Sequence, residues 1–525
     1  MHDHEEASKS PSESTSRDEV LDRLAIRPDA PDREVAHETF LRWAEAPTPE
    51  MDGPVPLSRY LEELRAGRPD LLDTYPQVPG HDVPGYREWA RVFGREQVPL
   101  SRQFVPPAIP AAAAPYVQAG VNLGGFLTAE LGVGEVARRI AAALRAASVP
   151  FATTTFERTT NRTAVAFRAD SSPRFDTNIV CVNADSWGAF AQHVGPAYFA
   201  GRHTIGVWFW ETSVFPSMFD SAFIGIDEIW AASAYVADVL RRRAPAHVPV
   251  VEFPMPIVQP AASARDMRAM LGIAPERPMF VTSFDHHSVA ERKNPYGAVR
   301  AFREAFADAA TGGPVLVLKS INGDRHPAAV SRIEELIGGR DDVLLYDAYL
   351  DAADNTALLA QATCVVSLHR AEGFGFNIAD AMALGVPVIA TAATGSLTFT
   401  SPDDGWLVPA TDVAVGPDHF PYPAEARWAD PDLATAAMHM RSIAADPAGA
   451  CERAARAQTR VLASFTVECT GAFIRNHVAT ERTDRERRAA ELTHAVAAAA
   501  SAAAAEQASW PARAGRLKRR VMKFR

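Results

Sequence analysis

Cysteine is scarce in this chain. Four residues in 525 (Cys181, Cys364, Cys451 and Cys469) stand far apart with no CxxC pair, which supports neither a zinc site nor a disulfide framework and fits a reducing cytoplasm. Long apolar runs are also missing: the nearly uncharged stretch 495–505 is too short and too alanine-rich to span a bilayer, and the opening MHDHEEASK lacks a signal-peptide core. Positive charge is not in excess either. A formal net charge of −11 argues against a general nucleic-acid binder, whose phosphate contacts need a basic surface. The exception is 511–525, PARAGRLKRRVMKFR, with seven Lys or Arg and no acid, which leaves −18 for the rest. What remains is ordinary: 47% hydrophobic and 22% charged residues exclude a wholly disordered, collagenous or coiled-coil chain.

Texture divides the chain. Residues 1–36 mix Ser, acids and Pro without periodicity, the composition of a tail that buries too little to offset ordering. Residues 37–104 show helical spacing, as in Tyr60, Leu61, Leu64 and Tyr86, Trp89, Ala90, and read as a small helical appendage, with 105–116 a Pro/Ala linker. From Val117 short β-rich runs alternate with amphipathic helical runs, the pattern of an α/β protein with a parallel sheet covered on both faces. Strands are predicted at 117–122, 179–183, 204–209 and 228–232, then at 279–283, 315–319, 343–346, 364–367 and 387–390. The proline-rich run 251–264 separates the two series, giving units at 117–255 and 256–475, a C-terminal helix at 476–510 and the basic tail at 511–525. Two doubly wound domains facing a cleft are expected, with ligands beyond the carboxyl ends of the strands.

The most informative stretch is SLHRAEGFGFNIADAMALGVPVIAT, 367–391: a strand end at Ser367, then Arg370, Glu372, Gly373, Phe374, Gly375 and Phe376, and a helix carrying Asp380. A strand, a glycine turn and a helix N-terminus present free N–H groups and a positive dipole end, which suit a phosphate, although the same glycines would also serve a plain tight turn. Arg292 and Lys293 in FDHHSVAERKNP and Lys319 in VLVLKSIN follow predicted strands at the cleft end, where fixed cations suit an anionic ligand. His286 and His287 have no partner at metal-ligand spacing, and no metal is assigned. In the first unit, Gly124 and Gly125 form a turn after the predicted strand 117–122, in a spacing that is not a dinucleotide fingerprint. Asn183, Asp185, Trp210 and Glu211 stand at strand ends facing the same cleft, where aromatic faces beside carboxylates suit a sugar; burial in the core is the competing role for tryptophan.

Glu372 and Asp380, eight residues apart, with the basic residues before them, resemble the E-x7-E signature of the retaining glycosyltransferase family 4. The likeness covers roughly 120–473 and departs from the pattern by Asp at the second carboxylate and Ser283-Phe284 where many members have Gly-Arg. It implies a GT-B fold of two Rossmann-like domains, with a nucleotide-diphosphate sugar as donor substrate and no cofactor. It also implies that Glu372 contacts the donor sugar, Asp380 the ribose, and Arg292, Lys293 and Lys319 the diphosphate, with Gly124 and Gly125 closing over the phosphates. The expected activity is hexose transfer to a saccharide or lipid-linked acceptor in cell-surface glycan synthesis. A nucleotide-sugar 2-epimerase and a non-catalytic nucleotide-sugar-binding scaffold are the alternatives. The tail from Arg513 to Arg525 spaces Leu517, Val521 and Phe524 as a short amphipathic helix for an anionic membrane surface, unless it is a solvated basic tail.

Overall fold

The computed structural model describes residues 58–78, 82–90, 118–169, 173–308, 312–488, 490, 491 and 494. The tail 1–36, the linker 105–116 and the basic segment 511–525 lie outside the described residues. Of the appendage, three short helices are seen, Arg59–Ala66, Pro69–Thr74 and Val83–Trp89, the first capped by Ser58 and held to the third by the Tyr86 hydroxyl donating to Leu61 O at 2.5 Å.

Two six-stranded sheets make up the body. The first contains β1 (Gln118–Gly125), β2 (Phe151–Thr155), β3 (Phe175–Cys181), β4 (His203–Trp208), β5 (Glu228–Ala231) and β6 (Val250–Glu252), in the order β2-β1-β3-β4-β5-β6, all parallel. The second contains β7 (Met279–Asp285), β8 (Val315–Ile321), β9 (Val343–Asp347), β10 (Cys364–Ser367), β11 (Val388–Thr391) and β12 (Trp406–Val408), in the order β12-β11-β10-β7-β8-β9, again parallel. Both are doubly wound. Sheets covered on both faces by helices need strands that are apolar throughout, which is why β4 is buried along its whole length and β8 is buried from Val315 to Ser320. Helices follow from the same sequence: Gly132–Ala146 buries Val136, Ile140 and Leu144 on one face.

The predicted strands are present with shifted ends, and five strands went unseen. β6 and β12 are short, β2 (FATTT) is only partly buried, and in the antiparallel hairpin of β13 (Ala410–Ala414) and β14 (Arg427–Pro431) only Trp428 and Pro431 are buried, so none carries a strong apolar signal. Gly124 and Gly125 belong to β1 itself, not to a turn after it. A helix spans 467–488, beginning before the predicted 476. It returns to the first unit: Gly471 packs on the backbone of Ala143, Arg482 pairs with Asp176, and His477 Nε2 lies 2.7 Å from Glu228 Oε1. Among the described residues no helix is long and apolar enough to cross a membrane.

Candidate active site

The second sheet reverses direction between β7 and β10, and the crevice beyond the carboxyl ends of those strands is where ligands of doubly wound sheets bind. Arg292, Lys293 and Glu372 come from the loops leaving these two strands. After β7, Val289 takes φ 59°, a strained value for a β-branched residue, and starts the short helix Ala290–Lys293. Asn294, left-handed at φ 54°, ends it. The Asn294 carboxamide accepts from Gly297 N and donates to Leu368 O, both at 2.9 Å, so one residue stops this helix, caps the next at Pro295 and ties both to the strand carrying Glu372.

That turn aims Arg292 and Lys293 at Glu372. Lys293 Nζ lies 2.5 Å from Glu372 Oε1, and Arg292 Nη1 is 3.5 Å from Oε2 and 2.9 Å from Ala371 O. Burial by itself would raise the Glu372 carboxyl, but Lys293 and Arg292 outweigh it and hold the group at about 2, so it is a carboxylate at any working pH. On neighbouring β8, Lys319 is only 4% exposed, and its ammonium donates to Ser320 O at 3.2 Å. Burial lowers it to about 8, although Asp347, Asp285 and Glu130 pull the other way. A buried ammonium with three donors and one carbonyl acceptor suits an incoming anion.

Gly375 opens the helix Phe376–Ala383 at φ 99° and supplies no side-chain cap, which leaves first-turn N–H groups for another acceptor. The turn before it is held from outside. Glu372 N donates to Thr394 Oγ1 at 3.0 Å, and Gly395 N donates to Glu372 O at 2.8 Å; a Cβ at Gly395 would meet Gly373 O at 2.0 Å. Gly373 O accepts from Ser233 Oγ at 2.8 Å, and Gly373 lies against Phe209, so the turn is seated on the first domain.

Several expected site residues have other partners. Phe374 is buried between Phe376 and Phe399, with ring centroids at 5.3 and 4.8 Å, and is a core anchor, not a ligand contact. Arg370 binds Asp430 through two nitrogens at 2.9 and 2.7 Å and covers Trp428, which holds the β13–β14 hairpin to the site. Ser367 Oγ meets the buried His369 Nδ1 at 3.0 Å. Asp380 Oδ1 takes the Arg139 guanidinium at 2.7 Å across the domain junction. Arg139 also donates to Pro256 O at 3.1 Å, where the chain passes between domains, and lies over Phe376.

The first domain contributes less than expected. A Cβ on Gly124 would strike Phe190 and Tyr198, and one on Gly125 would strike Cys181 O, so these glycines fit β1 against its own domain rather than approaching a ligand. Trp210 is buried against Phe215, Phe219 and Tyr422, and its Nε1 donates to Val214 O at 2.6 Å, which leaves no open ring face for a sugar. Asn183 Oδ1 accepts from Phe209 N at 2.9 Å, a backbone brace. Asp185 stands exposed in the first turn of the helix Ala184–Val194. Glu211 does reach the charged cluster: Oε1 is 3.7 Å from Arg292, and Oε2 accepts from the Tyr422 hydroxyl at 2.8 Å. Arg139, Tyr422, Ser233, Thr394 and Gly395 were not singled out in the sequence, because each acts only through contacts across long chain separations.

Residues 288–415 match the family model described as Glycosyl transferases group 1, a stretch that includes Arg292, Lys293, Lys319, Glu372 and Asp380. The matched stretch lies within the second domain. Among curated proteins, none matches the sequence. Solved structures share the two-domain GT-B fold. Anabaena HepE in complex with UDP-glucose is 16% identical over 69% of this chain and 100% of that one, with a TM-score of 0.50. Sucrose-phosphate synthase from Thermosynechococcus elongatus is 17% identical over 70% of this chain and 100% of that one, with a TM-score of 0.49. At 16% identity the likeness to HepE speaks to the fold alone.

Proposed function

We propose that the chain is a retaining glycosyltransferase that moves a hexose from a nucleotide-diphosphate sugar to a hydroxyl of a saccharide or lipid-linked acceptor. The observation that carries this reading is the buried cation set of Lys293, Arg292 and Lys319 beside one permanently ionised carboxylate and an uncapped helix N-terminus, all at the switch point of the second sheet. Such a site is built for an anion that gains charge, which a leaving nucleoside diphosphate does. The bond from the anomeric carbon to the phosphate oxygen breaks, the acceptor oxygen bonds that carbon, and its proton passes to the departing phosphate oxygen. Glu372 orients the donor sugar, and Glu211 and Asp185 face the acceptor. The cations supply the charge that a divalent ion supplies in other transferases, so the reaction is read as metal-independent. Retention and hexose rest on the likeness of Glu372-x7-Asp380 to the family 4 signature. The usual setting of such enzymes, cell-surface glycan synthesis in the cytoplasm at the inner membrane face, suits the basic segment 511–525.

UDP-glucose, the ligand of HepE, is the first donor to try within a thermal-shift panel of nucleotide sugars, since a donor at 100 times its Kd stabilises by about 2.7 kcal/mol. Nucleotide release stimulated by an acceptor is the expected result. Interconversion of donor sugars without acceptor would favour an epimerase, and binding without turnover a scaffold.

A further inference from the structure

The helix whose first turn Gly375 leaves open to an anion is held from the first domain by one side chain. Arg139, on the helix Gly132–Ala146, is 5% exposed, and its guanidinium has partners on three sides. Nε donates to Glu135 Oε1 at 2.8 Å, Nη1 to Pro256 O at 3.1 Å and Nη2 to Asp380 Oδ1 at 2.7 Å. Beneath it, at 4.6 Å, lies the ring of Phe376, the first residue of the Phe376–Ala383 helix, and Asp380 follows one turn later. One planar fork thus joins the first domain, the chain crossing between the domains and the helix of the anion site, which a lysine could not do.

Holding the junction does not call for such a pair. A buried ion pair adds little net stability, because desolvation offsets most of the attraction, and apolar packing would serve as well. What the pair fixes is the state of one carboxylate. Burial raises the Asp380 carboxyl, and Arg139 opposes that rise and favours the ionised form. Arg139 takes Oδ1 only. Among the described residues no hydrogen bond reaches Oδ2, and the side chain keeps 21% of its surface exposed. A carboxylate with one oxygen held and one to spare repels a phosphate but accepts from hydroxyls. With the phosphates of a nucleoside diphosphate at the open helix N-terminus, the hydroxyls next to them on the nucleoside side are those of the ribose.

We propose that Arg139 is a positioning residue of the donor site: from the first domain it fixes the Asp380 carboxylate so that Oδ2 accepts from the ribose hydroxyls, which makes nucleotide recognition depend on the domain junction. The proposal rests on the glycosyltransferase reading for its ligand, and Arg139 itself touches no substrate.

The test is calorimetric titration of the full chain with UDP, GDP, ADP and CDP, and then with the 2′,3′-dideoxy analogue of whichever binds best. The parent protein should prefer the ribose form by about ten-fold or more, the effect of hydrogen bonds to a carboxylate. Arg139→Gln should bring that preference to within about two-fold and leave the affinity for the dideoxy form unchanged. Asp380→Asn should do the same, and the double variant should lose no more than either single one, since the pair acts as a unit. Arg139→Lys, the milder change, keeps the charge without the fork and should also lose most of the preference; it carries the test if Arg139→Gln does not fold, and thermal midpoints are measured alongside. A merely structural role would weaken both nucleotides equally. That result, or a preference left intact in the Arg139 variants, or no preference in the parent protein, overturns the proposal and leaves the glycosyltransferase reading standing. Absence of binding by every nucleoside diphosphate would instead strike that reading, and the proposal with it.

Discussion

The two domains answer differently to the same kind of reading. In the second, Arg292 and Lys293, picked out from strand ends, both come within 3.5 Å of Glu372, with Lys319 on the strand beside β7. In the first, Trp210, Asn183, Gly124 and Gly125 were picked by the same positional logic and are engaged in packing and bracing, while Glu211 and Asp185 remain available. The difference is one of chemistry. A buried charge is too costly to leave unpaired, so several charges at neighbouring strand ends predict their own convergence. Tryptophan and glycine have no such obligation: a ring serves a core as well as a ligand, and a glycine serves strand packing as well as a phosphate.

The comparison breaks first if the charged site is dispensable. Glu372→Ala and Lys319→Ala should each lower kcat/KM on a verified donor by roughly 100- to 1000-fold, the effect of removing one preorganised electrostatic group. Turnover near that of the parent protein in either variant would falsify the assignment.

A pH profile sharpens it. Lys319 must be charged to hold a diphosphate and sits at about 8 in the free protein, so kcat/KM should fall about ten-fold per pH unit above that value. Glu372, at about 2, should add no acid limb between pH 5 and 8. The stability sign is opposite to the activity sign. With the folded-state value lowered from 10.5, the unfolded chain binds the extra proton between about 8 and 10.5, and stability rises with pH across that window. Lys319→Met should therefore raise the thermal midpoint below pH 8 while abolishing transfer; a lowered midpoint would contradict the reading of an under-satisfied ammonium.

On the other side of the comparison, Trp210→Phe should cost about 1–3 kcal/mol of stability through its lost hydrogen bonds and volume, with acceptor KM within two-fold. A large rise in KM at unchanged stability would return Trp210 to the acceptor site. The smallest effect is expected from chelation: EDTA should leave transfer unchanged, and restoration of a lost activity by Mg²⁺ or Mn²⁺ would reveal a metal. For the basic segment, flotation with anionic liposomes should weaken when the chain ends at Ser509, since each Lys or Arg near such a surface contributes about 1 kcal/mol.

The fold class, the two domains and the strand-by-strand alternation were legible because parallel strands buried on both faces write continuous apolar runs into the chain, as in Val315–Leu318. The edge strands β2, β6 and β12 and the β13–β14 hairpin were not, being short or half exposed. So too the cations beside Glu372 announced themselves by charge at strand ends.

What the sequence by itself determined is thus local and periodic: which segments bury which faces, where Gly373 and Gly375 turn the chain, and which charges stand at the cleft. Only the tertiary structure decided the partners that hold these in place: Thr394 and Gly395 beneath the Glu372 turn, Arg139 across to Asp380, Tyr422 on Glu211, and the helix 467–488 folded back on the first domain. Periodicity constrains neighbours a few residues apart, whereas contacts such as Arg139 with Asp380, 241 residues apart, arise only when separate elements settle on a common core.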